Sequence, residues 1–353
     1  MKQNTAIICL SPNSGGMEID AIKLAQKLSK YLPITLIAKE GAFIVNSKDE
    51  YLNENLKLET IKFKSNLGAS LILNGRKIIK KHQIKNVIFF GASELRSLYF
   101  SFLGLNINLI VRHGTTKSRP KKDWFHKLIY SNVNYHVSIC KHLQKNVEHI
   151  IPFGKNTQSK LIYSSFDFEE PKPIKSKRLT LLHTGRIAKG KGQIDAIEAC
   201  KILVDNQIDF EFNIVGGFES SYKKEFMEFY ENCSYKEKIN LVGFTKDVKY
   251  YLERADIFLF PSHGEGLSNA FMEALSYNLV SLAYNNTSFP ELKELGLYFK
   301  MVEHLNIESL SKSLIEVTKN LQKEKQESNK NYFLIKESFN LEKEMESYLD
   351  ILE

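Results

Sequence analysis

Two glutamates near the middle of the second half of the chain could bind the hydroxyl groups of a sugar. Glu265 stands between Gly264 and Gly266, and seven residues separate it from Glu273. The flanking glycines would let a ligand come close to the backbone of this loop. The alternative for such a pair is two solvated glutamates at the start of an ordinary helix.

The segment between the two glutamates predicts the start of a helix. Ser268 or Asn269 can cap it, which would place Glu273 in its first turns. A helix N-terminus presents free N–H groups and a partial positive charge, which suit a phosphate. A carboxylate beside a phosphate is electrostatically unfavourable unless it binds hydroxyl groups. Sugar rings and ribose supply such hydroxyl groups.

A glycine-rich loop upstream carries two cations between a predicted strand and a predicted helix. Arg186 and Lys191 could neutralise a diphosphate and stabilise charge that develops on a leaving group. Gly185, Gly190 and Gly192 keep this loop free of side chains. The pattern GxxxxGK[ST] is absent, so the loop is not a P-loop. The alternative is a basic surface turn.

The first half of the chain offers two further candidates. Gly15 and Gly16 close the turn-forming run SPNSGG between a strand and a helix, and they would allow close approach of a ligand. A GxGxxG pattern is absent, so a dinucleotide fingerprint is not supported. His113 follows a predicted strand end, where it could orient a hydroxyl or stabilise positive charge. The alternatives are a tight turn and a structural histidine.

A basic cluster with aromatic neighbours surrounds this histidine in the sequence. Such a mixture is typical of a surface that meets an anionic partner or a membrane. Nucleic acid is the competing explanation, but no helix-turn-helix, zinc-finger or RNP-type motif is found. The cluster consists of Arg112, Lys117, Arg119, Lys121, Lys122 and the single tryptophan, Trp124.

Composition limits the class of protein. The 353 residues carry a formal net charge of +8, with 43% hydrophobic and 25% charged residues, as in ordinary soluble globular proteins. The length suggests two domains. The absence of a long apolar run and of a CxxC pair excludes a membrane span, a disulfide framework and a zinc site, and favours the cytoplasm.

Short strands alternate with amphipathic helices in two cycles, which predicts parallel β-sheets. We expect an α/β protein of two Rossmann-like domains that face each other across a cleft. The first domain is predicted at residues 1–165 and the second at 166–334, with a helix at 335–353 packed back on the first. A polar stretch, Asn156 to Lys177, is interpreted as the linker. Strands are predicted at 5–10, 34–38, 86–90, 108–111, 179–182, 211–215, 239–242, 257–260 and 279–283, and helices from Met17 and at 193–204.

Taken together, these segments resemble the retaining glycosyltransferases of family 4, which have the GT-B fold. The resemblance is strongest in the second half, through GRIAKGKG, VGFTKDVKYYLERADIFLFPS and EGLSNAFMEAL, and weaker in the first, through SGGMEIDAIKLAQKL and VRHG. Two departures stand out. Tyr277 and Asn278 replace the small residue and glycine that are usual there, and residues 285–289 lack the usual glycines.

The resemblance implies a role for each matching position. Arg186 and Lys191 would hold the donor diphosphate, Glu265 would contact the sugar hydroxyls and His113 would lie beside the transferred sugar. Glu273 would bind the ribose. Further donor contacts are implied for Gly15, Gly16, Gly185, Gly216, Gly243, Phe244, Gly266, Leu267 and Ser268, with the nucleobase near Gly243, Phe244 and Gly216. The family uses no divalent metal, and no Asp-x-Asp motif is found.

The activity implied is retaining transfer of a hexose or N-acetylhexosamine. The donor would be a nucleotide sugar, by default UDP-linked, with GDP-mannose still possible. The acceptor would be a cell-surface or lipid-linked glycan such as lipopolysaccharide, with the enzyme peripheral on the inner face of the cytoplasmic membrane. The alternatives are an epimerase or inverting transferase of the same fold, and a non-catalytic glycan- or nucleotide-binding module.

Overall fold

A computed structural model describes residues 3–13 and 15–352 of the chain. The chain divides into two compact units, one formed by Met1–Ser165 with Leu341–Glu353 and the other by Phe166–Asn340. The C-terminal return to the first unit therefore begins at 341, whereas the sequence predicted 335. Ile335 and Phe339 are buried within the second unit, and the Phe339 carbonyl accepts a hydrogen bond from the Phe166 N–H at 2.9 Å.

The first unit contains a parallel sheet of seven strands within its described residues, in the order β3-β2-β1-β4-β5-β6-β7. Two strands at the centre of the sheet, β1 and β4, are buried throughout and apolar after their first residue, because helices cover both faces. The strands are β1 (Thr5–Cys9), β2 (Ile34–Lys39), β3 (Leu56–Ile61), β4 (Asn86–Phe90), β5 (Asn108–His113), β6 (Tyr135–Ser138) and β7 (Gln158–Leu161).

The helices of this unit follow the strands in alternation. Ala21, Leu24, Ala25 and Leu28 of the first helix are buried as their spacing predicts, whereas Met17 is exposed. The helices are α1 (Gly16–Ser29), α2 (Phe43–Asn46), α3 (Ala69–Lys81), α4 (Leu95–Phe102), α5 (Trp124–Tyr130) and α6 (Lys141–Ile150), with a 3₁₀ turn at Lys48–Glu50.

The predicted linker was wrong over residues 158–161. These residues form β7, which pairs in parallel with β6 from Tyr135 opposite Gln158 to Ser138 opposite Leu161. The strand lies at the sheet edge and its side chains are half or fully exposed. An edge strand of this kind carries no run of apolar residues, and its sequence therefore resembles that of a loop.

The second unit lies entirely within the described residues, and its six parallel strands have the order β10-β9-β8-β11-β12-β13. Its core is formed mainly by apolar side chains of the strands and of the helices packed on them. The strands are β8 (Leu179–Thr184), β9 (Phe210–Val215), β10 (Ile239–Gly243), β11 (Ile257–Phe260), β12 (Val280–Tyr284) and β13 (Lys300–Val302).

The helices of the second unit include the one predicted at 193–204, which is confirmed. They are α7 (Gln193–Asp205), α8 (Lys223–Glu231), α9 (Val248–Leu252), α10 (Asn269–Ser276), α11 (Phe289–Glu294), α12 (Ile307–Lys319), α13 (Leu321–Ser328) and α14 (Asn331–Ser338), with a 3₁₀ turn at Lys236–Lys238. The last helix, α15 (Leu341–Leu352), packs Met345, Tyr348 and Ile351 into the core of the first unit.

Each sheet reverses its strand order once, between β1 and β4 in the first unit and between β8 and β11 in the second. In open α/β sheets, ligands bind outside the carboxyl ends of the strands at such a reversal. No helix among the described residues is both long enough and apolar enough to cross a membrane.

Candidate functional site

The loops that follow β8 and β11 meet at the strand reversal of the second unit. The His263 N–H donates to the Gly190 carbonyl at 2.9 Å, and this bond joins the two loops directly. Gly192 has a φ of +77°, and a Cβ there would lie 2.0 Å from the Pro261 carbonyl oxygen. A residue with a side chain does not fit at this contact, so the glycine determines how closely the two loops approach.

Lys191 and Glu265, predicted from separate motifs, form an ion pair at this junction. The lysine Nζ lies 2.6 Å from Glu265 Oε1, and the Ser262 hydroxyl donates to the same oxygen at 3.0 Å. The lysine side chain is 33% exposed and that of the glutamate 12%, so both can be reached from solvent. The structure thus combines a cation for a phosphate and a carboxylate for hydroxyls in one pair.

Arg186 is exposed, and its main chain is fixed by buried neighbours. Gln193 Nε2 donates to the Arg186 carbonyl at 3.1 Å and lies 3.1 Å from His183 Nε2. His183 Nδ1 donates to the Leu259 carbonyl at 2.8 Å, so its Nε2 is the acceptor. Burial lowers the pKa of His183 to about 4, which keeps the ring neutral. Nothing in the sequence pattern marks His183 or Gln193 as site residues.

Helix α10 begins as predicted, and the structure selects Ser268 as its cap. The serine hydroxyl accepts a hydrogen bond from the Phe271 N–H at 3.4 Å. Glu273 lies in the second turn and is half-buried, as is Gly266 in the preceding loop. The Leu267 side chain is buried, so a donor could contact this residue only through its main chain.

The proposed nucleobase residues lie where β8, β9 and β10 end together. The Gly216 N–H donates to the Gly243 carbonyl at 2.9 Å, and a Cβ on Gly216 would lie 2.0 Å from the Gly185 carbonyl oxygen. These glycines keep three strand ends in contact. Phe244 follows directly and is 80% exposed, so its ring is available to a flat ligand.

Two polar residues that the sequence analysis missed hold the Glu265 loop from the other side. Thr287 Oγ1 accepts a hydrogen bond from the Glu265 N–H at 3.1 Å, and Asn286 Nδ2 donates to the Ser262 carbonyl at 2.8 Å. The available signal was the missing glycines at 285–289, which marked this segment as unusual.

In the first unit, Gly15 occupies the cap position of α1, and its carbonyl accepts from the Ile19 N–H at 3.1 Å. An ideal Cβ on Gly15 would lie 3.2 Å from a carboxylate oxygen of the buried Glu18, whereas Gly16 has open space. The helix N-terminus thus already has an acidic group beside it. Ser14 of the same run lies outside the described residues.

His113 ends β5 and is buried against a second histidine. Its Nε2 lies 2.9 Å from His136 Nδ1, and both rings are at most 2% exposed. Burial, reinforced by the neighbouring cations, lowers the pKa of His136 to about 3 and that of His113 well below its usual value. The His113 ring is therefore neutral and can act only through a hydrogen bond or its dipole.

The prediction that Arg112 belongs to an exposed basic surface was wrong. Its side chain is buried, donates to Ser164 Oγ at 2.7 Å and lies 3.3 Å from Asp20 Oδ2. The guanidinium also lies over the Phe90 ring, 4.8 Å from its centroid. This arginine stabilises the interior of the first unit and cannot meet an external anion.

The remaining residues of the basic cluster do lie at the surface, and their exposure differs. Arg119, Lys122 and Trp124 are exposed, the indole by 76%. Lys117 and Lys121 are half-buried, and burial lowers the pKa of Lys117 to about 8 and lowers that of Lys121. Across the described part of the chain, no group of three His, Cys, Asp or Glu side chains is placed to hold a metal ion.

Two doubly wound parallel sheets, one in each unit, are the architecture of the GT-B fold, and the second sheet carries a cation–carboxylate pair at its strand reversal. The chain belongs to the family Glycosyl transferases group 1, whose model matches residues 165–341. It is therefore a glycosyltransferase.

Individual proteins and a solved structure are also similar to this chain. CapH of Staphylococcus aureus, a capsular polysaccharide biosynthesis glycosyltransferase, is 25% identical over 309 residues, covering 82% of each chain. An Escherichia coli UDP-Gal:α-D-GlcNAc-diphosphoundecaprenol α-1,3-galactosyltransferase is 26% identical over 147 residues, which are 41% of this chain and 38% of that one. The crystal structure of Anabaena HepE with UDP and glucose aligns with a TM-score of 0.81 at 14% identity, over 99% of this chain and 98% of that one.

Proposed function

We propose that the protein is a retaining glycosyltransferase that moves a hexose or N-acetylhexosamine from a UDP-sugar to a hydroxyl of a cell-surface or lipid-linked glycan. The observation that carries this proposal is the Lys191–Glu265 pair at the strand reversal of the second unit. It supplies a cation for a phosphate and a carboxylate for sugar hydroxyls at the point where such sheets bind ligands.

Two relatives support the donor class. Anabaena HepE has been solved with UDP and glucose, and the Escherichia coli relative is named for transfer from UDP-galactose. In this chain, Phe244 offers an exposed ring beside the strand ends for a nucleobase, and Glu273 would bind the ribose. Gly185, Gly216, Gly243, Gly266, Leu267 and Ser268 would line the donor through their backbone.

The proposed mechanism places the cations on the leaving group. The bond between the anomeric carbon and the phosphate oxygen breaks, and its electron pair stays on the diphosphate. Arg186, Lys191 and the N-terminus of α10 stabilise that charge, which makes a metal ion unnecessary. The acceptor oxygen attacks from the same face, and its proton passes to a phosphate oxygen, which preserves the anomeric configuration.

The first unit would bind the acceptor. Gly15 and Gly16 leave the start of α1 accessible, and His113 would orient a hydroxyl as a neutral ring. We assign the exposed part of the basic cluster to the anionic surface of the cytoplasmic membrane, where a lipid-linked glycan would be presented. The relatives named for capsular polysaccharide and for diphosphoundecaprenol-linked glycan support this acceptor class.

Donor screening tests the proposal without an acceptor. The protein is heated with UDP-glucose, UDP-galactose, UDP-N-acetylglucosamine, UDP-N-acetylgalactosamine or GDP-mannose, with EDTA present throughout. We expect one UDP-sugar to raise Tm and to be hydrolysed slowly, with the α-anomer as the first product by NMR. A first product of inverted configuration or an epimerised nucleotide sugar would identify the alternative enzymes, and absence of any binding would refute the proposal.

Vesicle flotation tests the membrane assignment separately. Vesicles of phosphatidylglycerol and phosphatidylcholine should carry the wild-type protein upward, and pure phosphatidylcholine vesicles should not. Trp124→Ala and Lys122→Glu should each weaken flotation, because they remove the exposed indole or reverse an exposed charge. The exposed Lys319 in α12 provides a matched charge-reversal control, Lys319→Glu. Equal flotation of all variants would exclude the basic cluster as the contact.

A further inference from the structure

The loop that carries Glu265 is held at two main-chain points by one neighbouring segment. Asn286 Nδ2 donates to the Ser262 carbonyl at 2.8 Å, and Thr287 Oγ1 accepts from the Glu265 N–H at 3.1 Å. The two residues also bind each other, since the Thr287 hydroxyl donates to Asn286 Oδ1 at 2.9 Å. The start and the end of the four-residue loop are thereby fixed to a single dipeptide.

The orientation of the Asn286 amide is itself determined by a partner. Its Nδ2 lies 2.9 Å from Nδ1 of His304, a residue just after β13. Because an amide nitrogen can only donate, His304 Nδ1 is the acceptor. With Nδ2 donating to the Ser262 carbonyl and to His304, Oδ1 faces the Thr287 hydroxyl. The threonine hydrogen is therefore directed at Asn286, and the oxygen lone pair is left for the Glu265 N–H.

Thr287 occupies a backbone conformation that its side chain disfavours. Its φ is +43°, and among the described residues other than glycine with positive φ it alone has a β-branched side chain. A β-branched residue in this region is a strained outlier, and such strain persists where the surroundings impose it. Its methyl group lies near the Glu265 loop, since a Cβ added to Gly264 would be 3.4 Å from it.

We propose that Thr287 is a positioning residue for the donor sugar. It acts through the main chain of Glu265: its hydroxyl holds the peptide that carries the carboxylate, and Lys191 and Ser262 orient the carboxylate itself. A glycine would relieve the strain but could not supply the hydroxyl. This inference rests on the proposed role of Glu265 in binding the donor.

Three variants at this position separate the hydroxyl from the strain. Thr287→Val keeps the shape and the strained backbone but removes the hydroxyl. Thr287→Ser keeps the hydroxyl, and Thr287→Gly removes both strain and hydroxyl. Thr318→Val is the matched control, because Thr318 is also half-buried, lies in the same unit and makes one hydrogen bond, to the Leu314 carbonyl at 2.8 Å.

Turnover of the preferred UDP-sugar is the first measurement. We expect Thr287→Val and Thr287→Gly to lower kcat at least fivefold with a smaller change in KM. Thr287→Ser and Thr318→Val should remain within twofold of wild type. The Tm of Thr287→Gly should equal or exceed that of Thr287→Val although both lose activity, a combination that a merely structural role would not produce. A kcat of Thr287→Val within twofold of wild type would overturn the proposal.

Amide hydrogen exchange gives a readout that needs no substrate. The Glu265 N–H should exchange at least tenfold faster in Thr287→Val and Thr287→Gly than in wild type, and Thr287→Ser should restore protection. Unchanged exchange in Thr287→Val would show that the hydrogen bond does not hold the loop, which also overturns the inference. If the exchange result is as expected but wild type turns over no nucleotide sugar, the proposed function fails and the local geometry stands.

Discussion

Lys191 forms an ion pair with Glu265 in the structure and would also bind the diphosphate in the proposed reaction. Replacing it with alanine should lower turnover at least tenfold, because the leaving group loses a cation and Glu265 loses its ion pair. Lys189→Ala is the control: its side chain in the same loop is 82% exposed and lies 3.8 Å from Glu225. Steady-state kinetics with Tm as a folding check measures both, and comparable losses in the two variants would refute the assignment.

His183 couples the stability of the second unit to pH. Its pKa falls from 6.5 to about 4 on folding because of burial, so below pH 6.5 the unfolded chain takes up the proton first. This residue therefore contributes stability above pH 6.5 that is lost as pH falls toward 4. Between pH 7 and pH 5 the loss should be roughly 2 kcal/mol.

The variant His183→Asn isolates that contribution. Its amide can still donate to the Leu259 carbonyl but does not titrate. Urea denaturation should show that the stability cost of the variant at pH 7 shrinks by roughly 2 kcal/mol at pH 5. A pH-independent difference between the two proteins would show that His183 is not the titrating group.

Individual residues were predictable where their type and spacing are characteristic, and not where their contacts come from distant sequence. Lys191 and Glu265 stand in glycine-rich motifs that mark both as candidates. Their separation of 2.6 Å in the folded protein could not be predicted from the sequence. Thr287 was missed because it acts on a main-chain N–H 22 residues away. Arg112 was misassigned because a buried arginine with Asp20 and Ser164 as partners has the same sequence context as an exposed one.

At the scale of elements, the contact between two loops depends on one glycine. Gly192→Ala should destabilise the protein by about 2 kcal/mol or more, since φ is +77° and the new Cβ would overlap the Pro261 carbonyl. Gly190→Ala is the matched control, with a φ of +80° but no atom closer than 3.9 Å, and should cost about 1 kcal/mol. Equal free energies of unfolding for the two variants would mean that the two loops can move apart without any loss of stability.

The elements themselves were largely predictable because both sheets are buried. Central strands such as β1, β4 and β11 consist almost entirely of buried apolar residues, and their predicted positions are confirmed. Strand β7 was missed because it lies at an edge and its side chains need not be apolar. The fold of each half therefore follows from its hydrophobic pattern, whereas the point where one unit ends does not.

At the scale of the whole molecule, the final helix completes the first unit, and one of its attachments is a buried carboxylate. Glu344 Oε2 accepts from the Ser165 N–H at 2.9 Å and from its hydroxyl at 2.6 Å, and lies 2.8 Å from Lys27 Nζ. Glu344→Ala should destabilise the first unit by about 2 kcal/mol, because the Ser165 N–H loses its acceptor and the half-buried Lys27 loses its carboxylate partner.

Hydrogen exchange resolved by unit measures this effect. Strands β1 and β4 should lose protection in Glu344→Ala, whereas β8 and β11 should keep theirs. Glu346→Ala changes an exposed glutamate on the same helix and should leave both units unaffected. An equal loss of protection in the two units would contradict the division of the chain that assigns α15 to the first.

The same division sets an order of events during synthesis on the ribosome. The second unit is one uninterrupted stretch, so it has every residue it needs once position 340 has emerged. The first unit is begun earlier but remains incomplete, because the apolar residues that Tyr348 and Leu352 of α15 cover stay exposed until that helix has been synthesised. The half of the protein that is translated first is thus the half that matures last, and chaperones would be expected to bind it during that interval.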